Sequence, residues 1–134
     1  MALTYEAVQS LAQGFVQYYY PLFDNAQDGS TRANQLAPLY DAENSLLVFE
    51  GIPLKGKAAI LEKYSSLPFR TIQRGITKID SQPLGDGSVL ISVLGQLKTD
   101  DDPPQSFTHV IVLRPAGGSW FISNEIFRLV LHNM

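Results

Sequence analysis

Apolar residues recur at helical spacing near the start of the chain. Val8, Leu11, Phe15, Tyr18, Tyr19 and Leu22 lie three and four apart, the signature of one buried helix stripe. Thr4 is placed to cap this helix and Glu6 suits its first turn, so the pattern predicts a long helix ending near Phe23 or Asp24. Gly14, inside it, reads as a site of close helix packing. The polar stretch from Asn25 to Arg32 predicts a loop. A short or kinked helix follows, with Leu36, Leu39 and Tyr40 inward and Pro38 interrupting it. Residues 45–50 predict a strand, Gly51-Ile52-Pro53 a turn, and 56–67 a helix with Ile60, Leu61, Tyr64 and Leu67 on one face, stopped by Pro68.

The second half changes period. Residues 71–80, 88–98, 106–114 and 120–131 are rich in β-branched and apolar residues, with Gly85-Asp86-Gly87 and Gly117-Gly118 between them. They predict four long antiparallel strands. Helices followed by strands define an α+β domain over residues 1–134, a curved antiparallel sheet wrapped around about three helices. That arrangement is a cone with an apolar mouth. On the last strand Ile126, Arg128 and Val130 alternate with Phe127, Leu129 and Leu131. Both faces carry apolar residues and one chain has too few helices to cover both, so a two-fold homodimer through Ile126, Arg128 and Val130 is expected.

Composition narrows the chemistry. The chain of 134 residues is 45% hydrophobic with a net charge of −3, the profile of a globular domain with little electrostatic pull on nucleic acid. It contains no cysteine, which excludes disulfides and thiolate metal sites. No apolar run is long enough to span a bilayer, and the opening residues lack a secretory profile, so an aqueous intracellular setting is expected without membrane contact. His109 and His132 have no metal-ligand spacing around them, and no nucleophile elbow or phosphate-binding glycine loop occurs. Neither a metal nor a cofactor is expected. The run Tyr18-Tyr19-Tyr20 points in several directions at helical spacing and lacks a basic groove, so it reads as packing.

Two features suggest recognition. Phe49-Glu50 ends the early strand, an aromatic beside a carboxylate at the mouth of the cone. Asp100 and Asp102 share one face if the segment stays extended, a receptor for a partner's Lys or Arg; the plain alternative is a solvated hairpin tip.

The stretches FVQYYYPLFDN, FEG, LKGKAAILEKYSSLPF, GQLKTDDDP and NEIFRLVLHN occur in this order over nearly the whole chain. In them the sequence resembles the nuclear transport factor two family. The resemblance implies a homodimeric carrier, not an enzyme, that takes the GDP-bound small GTPase Ran into the nucleus and crosses the pore on phenylalanine-glycine nucleoporin repeats. It would be found in cytoplasm and nucleus, enriched at the pore. It further implies that a Ran phenylalanine enters a pocket of Phe49, Leu67, Ile72, Leu97 and Phe127, with basic Ran residues meeting Glu50, Asp100 and Asp102. Many members have Trp at the position of Phe49, and some have a nucleoporin-binding Trp at the position of Val8, with Tyr5 as the neighbouring substitute here. Residues 26–35 form a segment several residues longer than in relatives.

Other readings of the same fold stay open. A cavity enzyme, isomerase or dehydratase, would use Glu125 as acid or base and Tyr64 as donor; an exposed or arginine-paired Glu125 would exclude it. A heterodimeric messenger-RNA export partner is the nearest alternative within the binding class.

Overall fold

The computed structural model describes residues 3–131; His132 lies outside them. In chain order the elements are α1 (Tyr5–Asp24), α2 (Gly29–Leu36), a short turn of tight helix at Ala37–Leu39, β1 (Leu46–Phe49), β2 (Ile52–Lys55), α3 (Lys57–Ser65), β3 (Ile72–Pro83), β4 (Val89–Thr99), β5 (Gln105–Ala116) and β6 (Ser119–Leu129). The strands form one sheet in the order β2-β1-β6-β5-β4-β3. The class is α+β, as expected.

Helix α1 starts where Thr4 accepts a hydrogen bond from the Ala7 amide at 3.1 Å, an N-cap that satisfies one orphan donor. Its buried stripe is Val8, Ala12, Val16, Tyr19, Tyr20 and Phe23. This is rotated from the stripe read off the sequence: Tyr18 is 57% exposed, and Leu11, Phe15 and Leu22 are only partly covered. The helix is apolar over so wide an arc that spacing alone does not fix which edge faces the sheet; the small Ala12 and Val16 allow the close approach. Gly14, expected in a packed contact, faces open space. Gly14→Ala should therefore stabilise the protein by about 0.5–1 kcal/mol through helix propensity alone, measured as a higher denaturation midpoint at fixed protein concentration.

The segment expected as a loop begins a helix. Asp28 caps α2 by accepting from the Thr31 amide at 2.7 Å. Gly29 fits at its first position because an added Cβ would lie 1.9 Å from the Ser65 carbonyl oxygen. Buried Arg32 donates to the carbonyls of Phe23 at 2.9 Å and Tyr64 at 3.1 Å. These are carbonyls in the last turns of α1 and α3, which the guanidinium ties together while lying 5.0 Å from the Phe69 ring centre. The long segment thus anchors the helical layer.

Three strand assignments differ from the reading above. Residues 52–55 form β2, not a turn alone, pairing antiparallel with β1 (Val48 opposite Pro53); proline is tolerated because β2 is the sheet edge. The sheet is mixed rather than antiparallel, since β1 runs parallel to β6, with Leu47 opposite Glu125 and Phe49 opposite Phe127. β6 ends at Leu129, leaving Leu131 exposed beyond it. Alternation on β6 holds: Glu125 and Phe127 face the helices, while Ile126 and Arg128 face out.

Candidate functional site

The helices do not fill the concave side of the sheet. A cavity of about 200 Å³ remains between them and the strands. Phe23 from α1, Tyr64 from α3, Phe49 from β1, Ile72 from β3, Leu97 from β4 and Phe127 from β6 line it, with Leu67 and Phe69 from the segment after α3. The five residues singled out as pocket lining, Phe49, Leu67, Ile72, Leu97 and Phe127, are all in its wall. Sequence reading missed Phe23, Phe69 and Leu129, whose contribution depends on which edge of α1 turns inward and on how the chain leaves α3.

The wall is built of rings in contact. Phe49 and Phe127, opposite each other on parallel strands, stack with centres 5.2 Å apart and planes 15° apart. Tyr64 stands nearly perpendicular to Phe49 at 6.1 Å and to Phe23 at 5.0 Å. Such offset and edge-on pairs are the favoured aromatic geometries, so the wall is held in one arrangement. Arg74 closes one side. Its guanidinium donates to Asp24 at 3.0 and 2.7 Å and lies 4.2 Å from the Tyr20 ring centre.

Below the cavity is a buried polar network. Glu125, which does not line the cavity, accepts from Tyr40 at 2.7 Å and Tyr19 at 3.1 Å, and contacts His109 Nε2 at 2.6 Å. The other ring nitrogen of His109 is 2.7 Å from the Tyr20 hydroxyl. Burial, and then the nearby Glu125 charge, hold the Tyr19 and Tyr40 hydroxyls well above the usual phenol range, which keeps them protonated donors. Glu125 is thus neither exposed nor arginine-paired, the two arrangements expected to exclude catalysis. Its bonds nevertheless all run to protein groups and it has no face on the cavity, so it is not placed to exchange a proton with a bound molecule.

At the mouth the carboxylates differ in what they already hold. Glu50 sits at φ 51°, in the left-handed region, directly after β1. This turn sends its side chain back to accept from the Leu129 amide at 2.5 Å. Glu50 is thereby fixed beside Phe49 and the rim residue Leu129.

The aspartates are not an extended pair. Asp100 has φ 49°, and the Asp102 amide donates to the Thr99 carbonyl at 3.0 Å, so the segment is a turn. Asp100 spends one carboxylate oxygen on the amides of Arg70 and Thr71, at 3.0 and 2.9 Å. The bond to the Thr71 amide, above all, holds its carboxyl below the usual range. Asp100 pins the segment after α3 to the β4 end, while Asp102 is exposed. The expectation that the two share a face by strand alternation fails because the chain leaves β4 at Thr99.

The proposed nucleoporin positions separate too. Tyr5 is 55% exposed, but Val8 is 1% exposed, inside the core. Val8 cannot be a surface contact, because the helix face it lies on is the one pressed against the sheet. Among the described residues no group of three or more metal-ligating side chains occurs, and no helix is long and apolar enough to cross a membrane.

Fold and site together define a class: an α+β fold enclosing a preformed aromatic cavity, with Glu50 and Asp100 next in sequence to its wall residues Phe49 and Thr99. The chain belongs to the nuclear transport factor 2 family, whose domain model matches residues 11–129. It is 56% identical over 126 residues to a probable nuclear transport factor 2 of Caenorhabditis elegans, covering 93% of this chain and 94% of that one. To nuclear transport factor 2 of Saccharomyces cerevisiae it is 43% identical over 122 residues, covering 90% and 92%. The solved structure of nuclear transport factor 2 from Cryptosporidium parvum superposes with a TM-score of 0.79 at 31% identity, covering 94% of each chain.

Proposed function

We propose that this protein is a nuclear transport carrier for GDP-bound Ran, acting by binding and without a catalytic step. The observation that carries the reading is the ring-walled cavity with Glu50 fixed at its rim. A phenylalanine side chain of the partner would enter between Phe49, Leu67, Ile72, Leu97 and Phe127, and basic residues would meet Glu50, Asp100 and Asp102. An aromatic anchor in a pocket ringed by charge is the usual anatomy of a binding hot spot. Asp100, like Glu50, bonds the backbone through one carboxylate oxygen, and it is exposed, so it both shapes the rim and presents charge to the partner.

Titration calorimetry with Ran loaded with GDP, and separately with a non-hydrolysable GTP analogue, tests this. Binding to the GDP form alone is expected. Equal binding to both forms, or to neither, would overturn the reading.

Phenylalanine-glycine nucleoporins are the second partner class. With Val8 in the core, the exposed Tyr5 is the aromatic available at the start of α1. The working places are cytoplasm and nucleus, with enrichment at the pore.

The carrier works as a homodimer. The outward face of the sheet bears Ile126, 49% exposed, and Leu94, 43% exposed, with half-buried Val110 directly opposite Ile126. Arg128 and Val130 flank them. A second copy is the simplest cover for this face. Ile126→Glu is expected to halve the mass seen by analytical ultracentrifugation while leaving the circular dichroism unchanged; a variant that sediments like the parent would place the interface elsewhere.

A further inference from the structure

The cavity has the properties of a small-molecule site in its own right. Its volume is about 200 Å³, more than the roughly 150 Å³ of an apolar protein cavity that takes up benzene. The polar groups at its floor are largely engaged with one another. The Tyr20 hydroxyl is spent on His109 at 2.7 Å, and His109 on Glu125 at 2.6 Å. Among the described residues the buried polar side-chain atom without a partner is Ser88 Oγ, which is not in the cavity wall. What the interior presents instead is ring surface: the parallel Phe49 and Phe127 on one side and the perpendicular Tyr64 beside them. Uncharged polar groups enter the wall at Thr99, half-buried, and Gln105, exposed.

We propose that the cavity binds a free small molecule consisting of one aromatic ring on a short, uncharged polar tail. The ring lies against Phe49, Tyr64 and Phe127, and the tail reaches Thr99 and Gln105. A charged tail is disfavoured inside, because the buried Arg74 in the wall is already paired with Asp24 and Glu125 is enclosed by its own partners. The wall is locked by its own ring contacts, so binding needs no opening of the core. This ligand is distinct from the protein partner proposed above; only its competition with that partner rests on the carrier reading. Occupancy would then make small arenes antagonists of cargo capture.

Phenethyl alcohol is the probe, titrated into the isotope-labelled dimeric protein and followed by NMR. Saturable shifts are expected, with intermolecular Overhauser contacts from the ring protons to the methyls of Ile72 and Leu97. Leu67→Trp, which places an indole at the half-buried rim, should abolish saturation. Failure of the unmodified protein to saturate, or contacts to the outer-face residues Leu94 and Ile126 instead, would overturn the proposal whether or not the variant folds.

Repeating the Ran titration with the probe present separates the two ideas. Weaker capture of GDP-bound Ran in proportion to occupancy supports both. Undiminished capture with the ring shown inside the cavity would remove the cavity as Ran's seat and leave the arene site standing. Normal capture with no probe bound would do the reverse.

Discussion

Glu50→Lys is expected to weaken capture of GDP-bound Ran by roughly thirty-fold to several thousand-fold, the equivalent of about 2–5 kcal/mol for breaking a desolvated charge pair. The position makes the prediction interpretable. Glu50 adopts φ 51°, a conformation that lysine tolerates no worse than glutamate, so the backbone strain is unchanged. The side chain also accepts from the Leu129 amide, and lysine would lose that bond. Glu50→Gln separates the two effects. Its amide oxygen can still accept from Leu129 but carries no charge, so its affinity should fall between parent and lysine variant. Calorimetry with matched protein concentrations reads all three. Parent-like affinity in the lysine variant would remove Glu50 from the interface. Asp102→Lys is the better companion than Asp100→Lys, since the latter would also release the amides of Arg70 and Thr71.

Glu125→Leu should be the most destabilising single change away from the mouth, at about 3–5 kcal/mol. The carboxylate is buried and has three partners, Tyr19, Tyr40 and His109. Removing it leaves three polar groups facing an apolar side chain with no water to replace the lost acceptor. Glu125→Gln keeps the shape but turns one acceptor into a donor, with an expected cost of about 1–3 kcal/mol. Adding Tyr19→Phe and Tyr40→Phe to the leucine variant should recover part of the loss, because the orphaned donors vanish with it. Urea denaturation at constant protein concentration is the measurement. A cost below about 1 kcal/mol for the leucine variant would mean that the network contributes little to stability.

What the sequence shows and what it hides follow from the range of the interactions. The four long strands were readable because β-branched and apolar residues mark them locally, and the end of α1 because the polar Asp24-Asn25 breaks its apolar run. The edge strand β2 was hidden by Gly51, which makes the turn before it, and by Pro53, a turn residue by local chemistry that is tolerated because β2 is the sheet edge. The parallel partnership of β1 and β6 joins Leu46 to Asn124, and no local pattern reports a pairing over that separation. The pocket lining was legible through family resemblance, not periodicity. The turn at Asp100 and the burial of Val8 were not, since each is decided by which way the chain enters or leaves an element. Glu125 and His109 are recognisable one at a time, but their network exists only because α1, the segment after α2, β5 and β6 meet at one point. Arg32, in a stretch that reads as loop, turns out to hold two helix ends.

The sheet order has a consequence for the chain as it is made. β6, the last strand to leave the ribosome, lies between β1 and β5. Until Ser119–Leu129 is synthesised, both neighbours are bare edges, and Tyr19, Tyr40 and His109 face no carboxylate. Bare strand edges recruit other chains, so a nascent or prematurely terminated product is an aggregation hazard rather than a smaller working domain. The native sheet waits on Ser119–Leu129, which makes this stretch the decisive one for solubility.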